Sequence, residues 1–215
     1  MKISPTIGIV DYGVGNLHSA VKAFKQFSDK VIVTEDADDI RAADALVLPG
    51  VGAFPTGMQG LKIRGLVEPI RAFSKTGKPM LGICLGAQIM LSKGYEFGMH
   101  EGLNLVEGEV VDFSALATGT KIPQIGWNSL AEPAQEVWQN TILDSVASNR
   151  DSVYFVHSFI FQPRQPDEAL ATTEYGGREF CSVFKKNNIY GCQFHPEKSG
   201  AVGLKIIENF IHLVS

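Results

Sequence analysis

A cysteine, a histidine and a glutamate in this chain have the types and the local sequence that a thiol-based catalytic triad requires. Cys84 stands between a short apolar strand, predicted over 80–83, and an apolar helix, predicted over 85–91. Far downstream, His195 and Glu197 lie in the segment Gln-Phe-His-Pro-Glu. A thiolate can attack a carbonyl carbon, an imidazole can move the proton, and a carboxylate can orient the imidazole. These residues therefore predict an enzyme with a cysteine nucleophile.

The neighbouring residues favour the same chemistry. Gly82 and Gly86 flank the cysteine and give a sharp strand-to-helix turn the room that it needs. The first amides of the following helix would face the sulfur and favour its reactive thiolate form. Pro196 fixes its own backbone angle and biases His195 toward an extended conformation. The carboxylate two residues beyond the histidine is then expected on the same face of the segment.

Simpler interpretations of these residues stay open at this point. A cysteine in an apolar segment is commonly a small core residue. The spacing His-x-Glu also begins the zinc deaminase signature, but the Pro-Cys-x-x-Cys segment that completes it is absent. Cys181 and Cys192 fall in strand-like runs without a closely spaced partner, so we predict that both are core thiols. We expect no metal site and no cofactor.

Composition narrows the class of protein. The 215 residues are 45% hydrophobic and 20% charged, as in an ordinary globular domain. A net charge of −4 gives no basic surface for nucleic acid. Three scattered cysteines form no disulfide framework and suit a reducing compartment, so we expect a cytoplasmic protein. No apolar run reaches membrane-spanning length, and no membrane association is expected.

Strands and helices alternate over the first ninety residues. The predicted strands and helices follow one another at 7–10, 17–27, 31–33, 45–48, 54–62, 66–73 and 80–83. Such alternation indicates βαβ units and an open parallel sheet. Ligands of these sheets bind beyond the carboxyl ends of the strands. Here that edge would carry the loops at 11–16 and 49–52 and the turn at Cys84.

The second half of the chain changes character. Turn sequences separate predicted strands at 109–113, 152–156, 169–173, 180–184 and 189–193. We expect these strands to add an antiparallel extension to the parallel sheet and a final amphipathic helix, 202–213, to pack against it. The predicted fold is therefore an α/β domain with an open, mostly parallel sheet flanked by helices. No linker divides the chain, so residues 1–215 are predicted to form a single domain.

Neither glycine-rich loop matches a nucleotide-binding motif. The loop Gly13-Val-Gly15 lacks the third glycine of a dinucleotide fingerprint and remains open between a tight turn and a ligand loop. The loop Pro49-Gly-Val-Gly52 lacks the lysine of a phosphate-binding loop. A thiol that attacks a carbonyl needs backbone donors for the oxyanion, and we expect this second loop to supply one.

Six motifs give the chain a resemblance that spans essentially its whole length. They are Asp-Tyr-Gly-Val-Gly-Asn, Pro-Gly-Val-Gly-Ala-Phe, Gly-Ile-Cys-Leu-Gly-Ala-Gln, Gly-Trp-Asn, Tyr-Phe-Val-His-Ser-Phe and Gln-Phe-His-Pro-Glu-Lys-Ser. In order and spacing they resemble class I (triad-type) glutamine amidotransferases. More narrowly, they are similar to the glutaminase subunits of imidazole glycerol phosphate synthase, from histidine biosynthesis. Ala87 and Gln124 depart from that pattern, in which methionine and histidine are common; neither departure touches the triad.

The resemblance implies a role for each matched residue. Cys84, His195 and Glu197 would hydrolyse glutamine through a thioester. The oxyanion would be held by the N–H of Leu85 and by an N–H of the 50–52 strand, which we assign to Val51. The positions that match the family's glutamine-binding residues are Gly50, Gly52, Gln88, Ser158 and Phe159. Gln88 also has a simpler interpretation, since a side chain one turn beyond the cysteine could only brace the frame.

The resemblance further implies a partner. The family passes its ammonia to a separate (β/α)₈-barrel cyclase subunit, and a chain of this length has no room for a barrel of its own. The matched interface positions are Asn16, Trp127, Asn128, Tyr154 and Lys198. Trp127 could instead belong to the core, and His157 has the pattern of a hydrogen-bonded core histidine. Two other functions stay open: a paralogous glutaminase that serves another barrel-type synthase, and a non-catalytic binding subunit.

Overall fold

The computed structural model describes residues 5–115, 119–134 and 137–214. The strands of these residues are β1 (Ile7–Val10), β2 (Val31–Thr34), β3 (Ala45–Gly50), β4 (Met80–Cys84), β5 (Leu91–Gly94), β6 (His100–Glu101), β7 (Val106–Asp112), β8 (Gln124–Ser129), β9 (Ser152–His157), β10 (Phe159–Pro163), β11 (Ala169–Tyr175), β12 (Arg178–Lys186) and β13 (Ile189–Cys192). The α-helices are α1 (Leu17–Phe24), α2 (Ala37–Ala42), α3 (Phe54–Ile63), α4 (Val67–Ser74), α5 (Leu85–Gln88) and α6 (Gly200–His212).

A seven-stranded sheet runs through the centre in the order β11-β12-β13-β4-β3-β1-β2. The five strands from β13 to β2 are parallel, and β11 and β12 add the antiparallel extension. The predicted fold class is therefore confirmed. In the register of β3 with β4, Gly50 lies beside Cys84, so the predicted oxyanion loop and the nucleophile share one edge of the sheet.

Continuous apolar runs explain which strands occupy the centre. Every residue of β1, β3 and β4 is buried, as is typical of parallel strands covered on both faces. Helices α1 and α6 cover one face, where the rings of Phe24 and Phe210 meet edge to face at 6.2 Å. Helices α3 and α4 cover the other face through residues such as Met58 and Ile70.

Two predicted strands join smaller sheets instead of the central one. The strand predicted at 109–113 lies in β7, which belongs to a four-stranded sheet, β10-β7-β5-β6. The strand predicted at 152–156 is β9, which pairs only with β8 among the described strands. The expectation that both would extend the central sheet is wrong. Alternation predicts that a strand exists, but the pairing partner is decided by distant segments.

The helix predicted over 85–91 is also wrong in length. Helix α5 ends at Gln88, and the chain turns into β5 from Leu91. An apolar run that is buried on all sides has the same appearance in a helix and in a strand. Backbone hydrogen bonds to a later segment end the helix here, since the N–H of Leu103 donates to the carbonyl of Ile89. A helix this short adds little macrodipole, so the sulfur depends on local donors and on His195.

Smaller differences concern element ends and polar segments. Helix α1 ends at Phe24, three residues before the predicted end, because 25–27 form a turn. The polar helix α2 and the strands β8 and β10 were not predicted.

No helix of the described residues is long and apolar enough to span a membrane.

Candidate active site

The backbone at Cys84 forms a strained turn at the end of β4. Its φ of 52° and ψ of −110° lie outside the regions that non-glycine residues favour. The two flanking glycines are required by close approach: a Cβ on Gly82 would meet the backbone of Ala87, and one on Gly86 would meet the carbonyl of Leu48. The packing therefore holds the cysteine in a tight elbow at the edge of the sheet.

His195 and Glu197 are held rigidly beside this elbow. The Nδ1–H of His195 donates to Oε1 of Glu197 at 2.8 Å, and both side chains are almost fully buried. The backbone N–H of His195 donates to the carbonyl of Tyr154 at 2.9 Å, and Ser199 Oγ donates to the carbonyl of His195 at 2.6 Å. These bonds fix the ring through its backbone on both sides.

The electrostatics of His195 suit an acid–base role toward Cys84. Burial by itself would lower the pKa of the imidazole, but hydrogen bonding and charge interaction with Cys84 and Glu197 outweigh burial and raise it to about 9. Its buried Nε2 faces Cys84, but the contact with the sulfur is too loose to count as a well-formed hydrogen bond. Such a contact commonly tightens only when the substrate is bound. The ring is thus positioned to exchange a proton with the sulfur.

The candidate oxyanion donors lie on the two sides of the cysteine. Leu85 is the first residue of α5, so its N–H has no acceptor within the helix. Val51 follows β3, between Gly50, whose Cα packs against Tyr12, and Gly52, whose φ of 120° requires glycine. A Cβ on Gly50 would clash with the Tyr12 hydroxyl, which explains the first glycine of the pair.

A cavity of about 230 Å³ opens directly over the sulfur. It is lined by Val51, Gly52, Cys84, Gln88, Glu96, Val156, His157, Ser158 and Phe159. The structure thus brings four of the five predicted glutamine-binding residues to one cavity with the nucleophile. Gly50 is not part of the lining and lies behind it, against the elbow.

The family model described as "Glutamine amidotransferase class-I" matches residues 8–214. The chain belongs to this family. Its relatives include imidazole glycerol phosphate synthase subunit HisH 1 of Legionella pneumophila (strain Paris), which is 51% identical over 97% of this chain and 99% of that protein. Subunits HisH of Caldanaerobacter subterraneus subsp. tengcongensis and of Lactococcus lactis subsp. lactis are 45% and 44% identical, over at least 95% of this chain and 97% of theirs.

Solved structures agree on the fold. A glutamine amidotransferase crystal structure has a TM-score of 0.74 at 16% identity, covering 97% of this chain and 98% of that chain. The structure of PurLQS from Thermotoga maritima has a TM-score of 0.71 at 16% identity, covering 99% of this chain and 100% of that chain. The family match confirms the predicted membership in the class I glutamine amidotransferases, and the HisH relatives confirm the narrower resemblance to subunits of imidazole glycerol phosphate synthase.

The amidotransferase cavity contains a charged residue that the sequence analysis missed. Glu96 follows β5 and lines the cavity, and its Oε2 accepts the backbone N–H of Phe54 at 2.8 Å. Its carboxylate provides a negative charge where an α-ammonium group could bind. A lone glutamate in a turn carries no motif, so only its position in space identifies it.

Gln88 braces the amidotransferase frame, as its simpler interpretation predicted, while it lines the cavity. Its Nε2 donates to the carbonyl of Phe159 at 3.0 Å and to Oε1 of Gln193 at 3.2 Å. The same amide therefore fixes one wall of the cavity. Bracing and ligand binding are compatible, because the side chain also faces the space above Cys84.

His157 is a hydrogen-bonded core histidine, as its sequence pattern suggests. Burial lowers its pKa to about 4, so the ring is neutral at pH 7. Nδ1 donates to the carbonyl of Phe159 at 3.0 Å, and Nε2 lies 2.9 Å from the side-chain amide of Gln124. Since Nε2 of this tautomer can only accept, the side-chain amide of Gln124 is assigned with its nitrogen toward the ring, which exchanges it with the Oε1 atom placed there.

The predicted interface residues lie on or near the surface of the amidotransferase. Trp127 is 59% exposed, so its interpretation as a core residue is wrong. Its ring contacts that of Tyr154, its partner in the β8–β9 register, with 6.0 Å between centroids. Asn16 is exposed at the start of α1, where its side chain accepts the N–H of Ser19, and Lys198 is exposed one residue after Glu197. Asn128 donates to the carbonyl of Glu174 at 2.7 Å.

Proposed function

We propose that this chain is the glutaminase subunit of imidazole glycerol phosphate synthase. It hydrolyses glutamine to glutamate and ammonia, and it delivers the ammonia to a separate (β/α)₈-barrel cyclase subunit. The observation that carries the proposal is the His195–Glu197 pair beside the strained Cys84 turn, in a chain with 51% identity to a HisH subunit. A non-catalytic subunit would have no reason to retain that strain and that buried pair.

The reaction begins with glutamine bound in the cavity above the elbow. The thiolate of Cys84 attacks the side-chain amide carbon, and the charge that develops on the carbonyl oxygen is stabilised by the N–H groups of Leu85 and Val51. His195 gives a proton to the departing nitrogen, which leaves as ammonia. The acyl group stays on the sulfur of Cys84 as a thioester. His195 then removes a proton from water, which attacks the thioester and releases glutamate. Glu197 keeps the imidazole in one orientation and stabilises its charged form.

The two ends of the substrate find separate partners in this proposal. Glu96 supplies the charge for the α-ammonium group, while Gln88 and the segment at Ser158 and Phe159 form the remaining walls. Gly52 contributes backbone close to the ligand, since no side chain stands in the way. We expect Glu96→Gln to raise the KM for glutamine much more than it lowers kcat.

We further propose that the cyclase docks over the exposed edge of β8 and β9. Trp127 and the neighbouring Ile125 leave an apolar surface beside Tyr154, and Asn16 and Lys198 complete the matched positions. A large aromatic side chain left in water favours such an interface.

The match over 8–214 supports a single amidotransferase domain, and three free cysteines support a cytoplasmic location.

Reconstitution with the barrel cyclase tests the proposal. The wild-type complex should form imidazole glycerol phosphate and aminoimidazole carboxamide ribonucleotide from glutamine. Cys84→Ala should abolish glutamine hydrolysis and glutamine-dependent synthesis but leave ammonia-dependent synthesis intact, because only Cys84 can form the thioester. Cys181→Ala is the matched control and should retain both activities.

Two outcomes would contradict the proposal in different ways. Glutamine hydrolysis by the purified Cys84→Ala variant would refute the nucleophile. An active glutaminase that supports no synthesis with the cyclase would instead favour a paralogous subunit for another barrel-type synthase.

A further inference from the structure

Gln193 is a fully buried polar residue to which the mechanism above gives no role. It follows β13 directly, two residues before His195, and its backbone N–H donates to the carbonyl of Ser182 at 2.9 Å. Its side-chain Oε1 accepts from Nε2 of Gln88 at 3.2 Å, and its own Nε2 is directed at Sγ of Cys84, 3.9 Å away. One amide group therefore touches both the cavity wall and the nucleophile.

The surroundings of the sulfur make this contact selective for one protonation state. On another side, Sγ lies 3.9 Å from the carbonyl oxygen of Val156, which can accept the S–H of a neutral thiol. A thiolate has no proton to donate, so that carbonyl does not favour it. The amide of Gln193 offers an N–H, which bonds more strongly to a charged sulfur than to a neutral one. The two contacts thus favour opposite forms of the cysteine.

We propose that Gln193 is a positioning residue that couples the glutamine-binding wall to the nucleophile. Its oxygen holds Gln88 in place, and its N–H holds the sulfur of Cys84 and favours the thiolate. Because the chain fixes Gln193 only two residues from His195, the same segment orients both the base and this donor. The inference rests on the proposed function only in that Cys84 is the nucleophile.

The pH dependence of alkylation measures this effect directly on the full chain. The rate at which iodoacetamide modifies Cys84, located by mass spectrometry, follows the fraction of thiolate. Gln193→Met keeps the volume of the side chain and removes the donor. We expect it to move the inflection of the rate upward by about one pH unit, which is a tenfold loss of thiolate below the inflection.

A second variant separates the contact with sulfur from the contact with Gln88. Gln88→Met removes the braced wall and keeps Gln193, so it should raise the KM for glutamine without moving the inflection. Gln193→Met should change both. Gln162→Met, at an exposed position of β10, is the matched control and should change neither. His195 and Tyr12, which also interact with Cys84, are intact in all three variants.

An unchanged inflection in Gln193→Met with a raised KM would overturn the proposal, since Gln193 would then act only through Gln88. If the variant does not fold, the wild-type chain provides the test. The side-chain amide resonances of Gln193, followed by ¹⁵N NMR, should shift with the inflection of alkylation and stay constant in Cys84→Ser. Side-chain amide resonances of Gln193 that do not shift with the inflection of Cys84 alkylation in the wild type would also overturn the proposal. Failure of the proposed function would differ, because alkylation of Cys84 would then leave glutaminase activity unchanged.

Discussion

At the scale of single residues, the site depends on conformations that few residue types tolerate. Cys84 has a positive φ, which costs on the order of 1–3 kcal/mol and persists only when the surrounding packing enforces it. The backbones of Ala87 and Leu48 supply that packing, since they approach so closely that only glycine fits beside the cysteine. The spacing Gly-x-Cys-x-Gly is therefore a steric requirement of the elbow.

Glu197→Gln should weaken turnover by about 10²-fold without abolishing it. The nucleophile and the base remain, but the imidazole loses the carboxylate that orients it and supports its charge, an effect within the range of general acid–base catalysis. The pKa of His195, about 9 in the wild type, should fall with the loss of that charge. The basic limb of the kcat/KM profile should accordingly move to lower pH. A profile of unchanged shape would show that Glu197 does not act through His195.

His157 should make the fold sensitive to acid. Its pKa is about 4 in the folded chain against 6.5 in the unfolded chain, so the unfolded chain binds the extra proton between these values. The stability from this histidine is present above pH 6.5 and is lost as the pH falls toward 4, by roughly 3 kcal/mol. Urea unfolding across this range should have a shallower pH dependence in His157→Asn. Equal slopes in both proteins would contradict the assignment.

At the scale of elements, the β8–β9 pair connects the surface to His195. Trp127 and Tyr154 pair across the two strands, and the carbonyl of Tyr154 accepts the backbone N–H of His195. The backbone N–H of Tyr154 in turn donates to Ser199, which also bonds to the carbonyl of His195. A partner that binds to this pair of strands would be linked to the His195 segment through two hydrogen bonds of the Tyr154 backbone, one to the backbone of His195 and one to the side chain of Ser199.

Trp127→Ala should weaken binding of the barrel cyclase by about 2 kcal/mol or more, because truncation of a central aromatic anchor commonly has this cost. It should change the melting temperature of the isolated chain little, since the ring is 59% exposed. Phe97→Ala, at a residue that is 85% exposed in the turn after β5, is the control and should affect neither quantity. A large loss of melting temperature with unchanged affinity would contradict the interface assignment.

At the scale of the whole molecule, the fold brings the ends of β3 and β4 to the same edge as the His-Pro-Glu turn. The predicted oxyanion loop at 50–52 is packed unequally: Gly50 lies against Tyr12 and Leu85, whereas nothing lies within 4 Å of a Cβ built on Gly52. The packing around this loop is therefore looser at Gly52, which lines the cavity, than at Gly50. A change in the orientation of the Val51 N–H would meet less steric resistance toward Gly52 than toward Gly50.

The isolated chain should bind glutamine but hydrolyse it slowly, and the barrel cyclase loaded with its nucleotide should accelerate it. The loss of one oxyanion donor typically costs about 10²–10³ in rate, so a resting chain with Val51 turned away would be nearly silent. Binding at the interface needs to bias this peptide by only a few kcal/mol. Glutaminase rates for the chain alone, with partner, and with partner and nucleotide provide the measurement. Equal rates in all three would refute gating but would not contradict the assignment of the triad.

The sequence by itself determined the candidate triad and much of the parallel core. Cys84, His195 and Glu197 lie in short motifs whose local geometry follows from glycine and proline. The central strands are short, continuous apolar runs of the length typical of buried strands. These properties depend on neighbours within a few residues, so a linear pattern can express them.

Only the tertiary structure decided what depends on distant segments. It shortened the helix after Cys84, because backbone groups from 102–105 pair with 89–92 and turn that segment into a strand. It placed Glu96 over the sulfur and Gln193 beneath it, and it left Trp127 in solvent. Burial and charge then set the opposite pKa shifts of His157 and His195. The positions of Glu96 and Gln193 in particular have no local signature, because each arises from groups that meet only when the sheets and helices have packed.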